Sequence, residues 1–387
     1  MYDVLILGAG AGGLMCASEL SSCKGIKVGV IDANLHVGAK IKISGGGKCN
    51  ITNTEVSEKN YLGDEAFVSE VLSRFTKKDL LDFLHVNRLK PVIRKERYYF
   101  CEKSSDEIIS IFRRLTKDVS YHLGETILHV SSQPGVFSVT TSKREYKAKT
   151  LVIATGGVSY KTLNATDIGL KIAADFGHEI AEFSPALVGL TLQKDQFWMK
   201  ELSGVSAEVE IEVEGKKLRE EMLFAHRGIS GPVVLSASLY WKKGNMFINF
   251  LPKNNVNTLV KNSKKNISSV LNLPKRLSKG LLEALQVEDK PCNKLSKDEL
   301  NNLQNIHRYS FSPAGNFGFT KAEVSRGGVK TKEIDKNSMM SKKVDRLYFI
   351  GEVVDVTGEL GGYNFQWAFS SAVVCARDII KVSSIVV

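Results

Sequence analysis

No two of the six cysteines, at positions 16, 23, 49, 101, 292 and 375, stand at CxxC or any other paired spacing. That favours reduced thiols in the cytoplasm over a disulfide framework or a cysteine-built zinc site. No apolar run approaches the roughly 20 residues of a membrane-spanning helix. The chain starts directly in a strand-like run, which predicts no signal peptide. There is no internal repeat, no low-complexity tract and no second Gly-x-Gly-x-x-Gly mid-chain. Also missing are an RNA-recognition signature and any interleaving of aromatic with basic residues in the most basic stretch. What remains is ordinary for a globular chain of two or three domains: 387 residues, 43% hydrophobic, 25% charged, with a net charge of +11. A surplus of lysine can attract phosphates, RNA or an anionic membrane face, or can simply be solvated surface.

The chain is organised around its first 32 residues. Tyr2–Leu7 is a short apolar run, β-branched at Val4 and Ile6, that stops at Gly8-Ala-Gly10-Ala11-Gly12-Gly13. Leu14–Leu20 reads as a helix, Ile26–Ile31 as a second strand, and Asp32 closes it. Strand, Gly-x-Gly-x-x-Gly, helix, strand and acid make a dinucleotide-binding unit. Gly8 permits the tight turn, Gly10 lets the backbone approach a pyrophosphate, and Gly13 lets helix and strand close up. The helix N-terminus offers unpaired N–H groups to the phosphates. Asp32 can accept from both hydroxyls of an adenosine ribose and would repel a 2′-phosphate.

Ser44-Gly45-Gly46-Gly47-Lys-Cys49-Asn50 follows within a few residues. Three successive glycines predict a loop beside the same ligand, not a regular element. Helices are predicted over 67–75, 77–86 and 105–116, with a hairpin over 92–100 and a Pro134-Gly135 turn between strands. Thr150–Ala154 reads as a buried strand ending at Thr155-Gly156-Gly157, at the carboxyl edge where ligands bind. From Leu187 the pattern becomes alternating and β-rich, and 253–279 carries seven Lys or Arg and no acid. Near the end, Leu347–Ile350 is another buried strand, running into Gly351-Glu352 and Asp355, then Gly361-Gly362-Tyr363-Asn364 and a long helix.

Two glycine-capped strand ends at opposite ends of the chain suit a long ligand lying across a sheet, and FAD fits better than NAD. The N-terminal motif would take the adenosine pyrophosphate, and the C-terminal glycines the ribityl and flavin ends. Candidate contacts are Gly8, Gly10, Ala11, Gly12, Gly13, Asp32 and Ala33; then Lys40, Ser44, Gly45, Gly46, Gly47, Cys49 and Asn50. Ala154, Thr155 and Gly156 follow, and last Gly351, Glu352, Asp355, Gly361, Gly362, Tyr363 and Asn364. No metal site is expected.

On these motifs, together with Ser159-Tyr160, Leu202-Ser-Gly204, Glu221–His226, Ile229–Pro232 and Val324–Val329, the chain resembles the YhiN/BaiN-like flavoproteins. These are also called aminoacetone-oxidase-family FAD-binding enzymes. The motifs keep their order along nearly the whole chain. The resemblance implies an α/β fold: a Rossmann-like, discontinuous, two-dinucleotide-binding-type FAD domain with an inserted β-barrel-like domain and a small helical subdomain. The corresponding ranges are 1–186 with 326–387, 187–252 with 308–325, and 253–307. It also implies that Ser44 to Asn50 and Gly361 to Asn364 face the flavin. One departure stands at Lys161–Gly169, where the family carries Pro and a glycine-rich turn after Ser-Tyr.

The expected activity is that of an FAD-dependent oxidoreductase acting on a small molecule, with NAD(P)H as a transient electron donor. Candidate catalytic residues are Tyr160, His226 and Arg227, with the turn at 226–232 expected over the flavin in a cleft between domains. Cys49 reads as a packed loop residue, because no resolving cysteine is near it in sequence. The alternatives are an RNA-binding, tRNA-modifying flavoprotein, motivated by the basic stretch, and a flavin-bound sensor without turnover. The sequence favours a small-molecule substrate over nucleic acid and leaves oligomeric state open.

Overall fold

The computed structural model describes the backbone of residues 1–385 and the side chains of residues 1–383. It divides into two compact units, Met1–Ser184 with Val324–Val387, and Pro185–Glu323.

The first unit is built on a seven-stranded sheet. Tyr2–Leu7 lies between Val28–Asp32 and Glu145–Ile153, parallel to both, and Leu347–Phe349 runs parallel beside Glu145–Ile153. Ser120–Leu123 extends one side in parallel, while Val136–Thr141 and Ile127–Gln133 extend the other as antiparallel strands. The register sets Leu7 opposite both Ile31 and Ile153, and Ile153 opposite Phe349. Four strands therefore end in one row. Gly8, Asp32, Ala154 and Ile350 are the next residues, so the ligand-binding turns emerge side by side at the carboxyl edge.

Burial explains why Glu145–Ile153 can belong to both kinds of pairing. Its first half alternates between exposed and buried, as an antiparallel strand with one wet face does, and Thr150–Ile153 is continuously buried. Val4, Leu5, Ile6 and Leu7 are likewise buried in succession. The helix Ala11–Ser21 packs along the 23-residue helix Tyr363–Ile385. Trp367 and Phe369 of the long helix are 1% and 0% exposed. Burying such side chains contributes roughly 1.5–3 kcal/mol each.

The second unit has its own seven-stranded antiparallel sheet. Its order is Tyr309–Phe311, Met246–Asn249, Ser206–Val213, Lys216–Ala225, Gly228–Ser230, Leu190–Thr191 and Gly315–Asn316. The barrel-like closure expected from the resemblance is not made: the path runs open from the first of these strands to the last. The stretch read as helical between the strands contains Val256–Val260, Ile267–Val270, Lys275–Ala284 and Lys297–Gln304.

The His226–Pro232 segment is a corner. Ala225 pairs with Gly228, leaving His226 and Arg227 as a two-residue turn, and Pro232 opens the helix Pro232–Tyr240 behind Gly231 at φ +89°. That helix, apolar almost all round, packs on the sheet. A Cβ on Gly228 would stand 1.9 Å from the Leu190 carbonyl oxygen. Gly228→Ala is therefore expected to destabilise by about 3 kcal/mol or more. Gly244→Ala, at an open turn with φ +83°, is expected to cost only about 1–2 kcal/mol. Denaturant midpoints of the two variants measure the difference.

Candidate active site

The first turn sorts its glycines by what surrounds them. Gly8 has φ +112°, and a Cβ there would lie 2.3 Å from the Ala154 carbonyl oxygen. A Cβ on Gly13 would lie 1.9 Å from the Gly8 carbonyl oxygen. These two are demanded by the protein's own packing. Gly10 meets nothing within 4 Å and caps the helix Ala11–Ser21 without a side-chain hydrogen bond. The N–H groups of Ala11, Gly12 and Gly13 thus begin a helix whose end is open to an anion. Asp32 is held beside this turn: its Oδ2 accepts from the Ala9 N–H at 2.6 Å, and its Oδ1 from Asn34 N–H at 2.7 Å. Ala33 follows at the sheet edge. Its carbonyl accepts from the Asn164 side chain, which also reaches Asn34. The departing loop is a short 3-10 turn, Lys161–Leu163, flanked by Tyr160 and Asn164 at φ +62° and +54°. Asn34 Nδ2 donates to its Leu163 carbonyl. The loop is thereby fastened beside the ribose acid without the family's Pro and Gly.

The glycine loop forms the end of Ala39–Gly47, whose helix breaks at Ser44 (ψ 148°), Gly45 (φ +56°) and Gly46 (φ +65°). A Cβ on Gly45 would press on the Phe100 ring at 2.9 Å, while Gly46 meets nothing within 4 Å. The Cys49 N–H closes the loop onto the Ser44 carbonyl at 3.0 Å. Cys49 is fully buried at φ +45°. Asn50 pairs with Phe100 on the strand Tyr98–Phe100, which puts Cys49 opposite Cys101. The Cys101 N–H donates to the Lys48 and Cys49 carbonyls at 3.0 and 3.4 Å. A hydrogen bond with the Cys101 thiol, and burial, hold the Cys49 proton on well above the ordinary thiol range. Sequence distance hid this neighbour.

At the mid-chain turn Thr155 is followed by Gly156 at φ +73°, and a Cβ on Gly157 would collide with Ser325 and Glu352. Gly351, at φ +71°, receives the Trp367 indole N–H on its carbonyl at 3.0 Å. Glu352 ties three distant segments together. Its Oε2 pairs with Lys40 at 2.7 Å and its Oε1 accepts from the Ser325 N–H at 2.8 Å. Lys40 also stands 5.9 Å from the centre of the Tyr160 ring. Gly362 packs its Cα against the Thr52 backbone, where a Cβ would be 2.6 Å away, and Asn53 donates to the Gly361 carbonyl at 3.1 Å. Asp355 is paired with Lys330, and Asn364 makes two hydrogen bonds to the Gly358 backbone. Tyr363 is 1% exposed, and burial raises its phenol pKa. Of these three side chains, Asn364 holds the local backbone, at Gly358.

The first unit therefore brings the N-terminal turn, the mid-chain turn and Gly351 to one sheet edge, while the glycine loop and Gly361–Gly362 pack on the small sheet of Asn50–Asn53 and Tyr98–Phe100. Lys330 belongs to the same neighbourhood and lies outside every motif, while Ser325, Thr52 and Asn53 stand within or beside the motifs without having been named as cofactor contacts. His226 and Arg227 belong to the second unit and are exposed at their hairpin turn, with the Arg227 guanidinium 5.5 Å from the centre of the Phe317 ring.

A family model described as "HI0933-like protein Rossmann domain" matches residues 2–378. The chain belongs to this family. Among HI0933-like relatives, a protein of Haemophilus influenzae named ribosomal RNA dihydrouridine synthase is 37% identical, with 97% of this chain and 98% of that one aligned. A Clostridium scindens protein named 3-dehydro-bile acid delta(4,6)-reductase is 26% identical over 97% of this chain and 98% of its own. The same fold is seen in 3-ketosteroid delta1-dehydrogenase from Sterolibacterium denitrificans. That structure has a TM-score of 0.51 at 12% identity and covers 98% of this chain and 99% of its own.

The HI0933-like site fits FAD. Buried Asn50 Oδ1 and Thr155 Oγ1 have no hydrogen-bond partner among the described residues, and both open turns, at Gly10 and Gly46, leave room for a ligand. The chain is an FAD-dependent oxidoreductase of this fold, and the family read from its motifs is borne out. Among the described residues, no helix is long and apolar enough to cross a membrane. Gly10→Ala should leave the thermal midpoint nearly unchanged and lower the flavin content of purified protein, because the added methyl fills only ligand space. Gly13→Ala should lower both, because its methyl meets the Gly8 carbonyl. Visible absorbance and a melting scan on each variant read the two effects.

Proposed function

We propose that this protein reduces the C5=C6 double bond of a uridine in ribosomal RNA, giving dihydrouridine. The observation that carries this reading is the 37% identity with a protein of that named activity, extending over 97% of this chain and thus including the basic insert. The +11 charge supports it. The more distant relative, named as a delta(4,6)-reductase, supports the same reaction type. A 3-oxo steroid with such unsaturation and uracil both present a carbon–carbon double bond conjugated to a carbonyl. FAD, when bound, supplies the two-electron carrier, with NAD(P)H as the donor in this reading.

The residues of the chain provide placement and charge. The helix ends at Ala11 and Tyr363 and the glycine turns offer backbone donors to the cofactor. The Lys40–Glu352 pair fixes the edge where those turns meet. Tyr160, held beside the Lys40 ammonium, is the candidate acid that protonates the substrate. The exposed His226–Arg227 turn is the candidate contact for an anionic group of the substrate.

Purified, flavin-loaded protein given NADH or NADPH and deproteinised ribosomal RNA should form dihydrouridine, detected as a gain of two hydrogens by mass spectrometry of the nucleosides. Rapid oxidation of NAD(P)H without any dihydrouridine would overturn the RNA substrate, and a 3-oxo-4-ene steroid then tests the shared chemistry. A Tyr160→Phe variant is expected to lose turnover roughly 10²–10⁴-fold while its flavin is still reduced by the donor. His226→Ala with Arg227→Ala should instead raise KM; unchanged KM removes that turn from the site.

A further inference from the structure

The most basic stretch of the chain is not used by the cofactor site. Residues 253–279 carry seven cations and no acid, and all seven cations are exposed. Lys253 is paired with Glu208, and Arg276 donates to the Glu201 carbonyl. Among the described residues, the side chains of Lys261, Lys264, Lys265, Lys275 and Lys279 make no ion pair or hydrogen bond. Nearby carboxylates are already engaged: Asp289 by Ser268, and Glu299 by Lys290 and Ser296. Glu283 is the one acid of the helix Lys275–Ala284. Holding this many like charges together is unfavourable unless a polyanion offsets them.

The fold then adds what the linear sequence lacks, an aromatic ring among the cations. The helix Lys275–Ala284 packs on the 3-10 segment Lys194–Leu202. Gly280 makes room for the Trp198 ring, which would lie 3.1 Å from a Cβ there, and the Trp198 indole N–H donates to Tyr309 Oη at 3.1 Å. With Trp198 turned inward, its neighbour Phe197 stays 42% exposed, and the Lys200 ammonium lies 3.1 Å from the centre of its ring. The ammonium covers one face of the ring, so a cation and the remaining exposed ring surface are presented together, matching the phosphate and the base of a nucleotide.

We propose that the basic insert and the Lys194–Leu202 segment form an RNA-docking surface, with the unpaired lysines on phosphates and Phe197 stacking on an unpaired base. This rests on the ribosomal RNA reading above. An anionic membrane would also attract the lysines, but Leu277, Leu281 and Leu282 of the helix are 0%, 0% and 2% exposed. They leave no apolar face to enter a bilayer.

The test compares full-length protein with the combined variant Lys264→Gln, Lys265→Gln, Lys275→Gln and Lys279→Gln, with Phe197→Ala, and with a control. The control places Gln at the exposed Lys78, Lys90, Lys117 and Lys336 of the first unit. A melting scan and far-UV circular dichroism check that each folds. Binding to deproteinised ribosomal RNA and to a fluorescein-labelled uridine-rich single strand is followed between about 50 and 200 mM salt. The fourfold variant should lose about three from the magnitude of the slope of log K against log salt. Phe197→Ala should weaken binding to the single strand about tenfold with the slope unchanged, and the control should bind as the native protein does. Equal loss in the control, or no loss in the fourfold and Phe197 variants, overturns the surface. If the native protein still forms dihydrouridine in that case, the function stands and only the surface falls. Native protein that binds phosphatidylserine vesicles and no RNA, and forms no dihydrouridine, overturns both.

Discussion

The site depends on one close approach. The backbone of Gly8 runs so near the Ala154 carbonyl, and Gly13 so near that of Gly8, that no side-chain atom fits at either position. That contact locks the first helix onto the strand ends. Parallel register then does the rest: with Leu7 opposite Ile153 and Ile153 opposite Phe349, three chain segments must release their turns at the same edge. Hydrogen bonding enforces this alignment across very different sequence distances. The Ala154 N–H reaches the Leu7 carbonyl at 2.8 Å, and the Ile350 N–H the Ile153 carbonyl at 3.0 Å.

Around that edge the chain divides labour between residues that hold shape and residues that leave space. Trp367, Ser371 and Asn364 spend their polar atoms on the backbone of Gly351 and Gly358. Glu352 spends its carboxylate on Lys40 and Ser325. Asn50 and Thr155, by contrast, keep buried oxygens unengaged. A buried polar atom without a partner costs about 1–3 kcal/mol, so such atoms persist where a ligand completes them.

What could be read beforehand follows from the range of the forces involved. The first turn, Asp32 and the buried strands were legible because backbone sterics and burial act over a few residues. Ser44–Gly46 was legible as a break for the same reason, although regular turns run up to it on one side. Cys101 opposite Cys49, and Lys40 joined to Glu352, were not legible, since each pairing is made by register between segments far apart in the chain. The helix Pro232–Tyr240 was missed because its apolar residues cover every face and give no period, leaving only Gly231-Pro232 as a signal. The exposed Phe197 beside Lys275–Ala284 was hidden likewise: the aromatic and the cations sit in separate stretches until the fold joins them.

Completing the sheet with Leu347–Phe349 and covering the first helix with Tyr363–Ile385 also fixes the order of events on the ribosome. The strand Glu145–Ile153 emerges with one side of its second half waiting for a partner. At roughly 5–20 residues per second, that wait before Leu347 is made lasts of the order of ten to forty seconds. Through this interval the nascent chain exposes the apolar flank of Thr150–Ile153 and the groove that Trp367 later fills. The second unit, contiguous from Pro185 to Glu323, can condense meanwhile, and the first cannot close until the residues after it are made. Chaperone occupancy of the nascent chain therefore has a defined window, opening near Ile153 and shutting when the final helix docks.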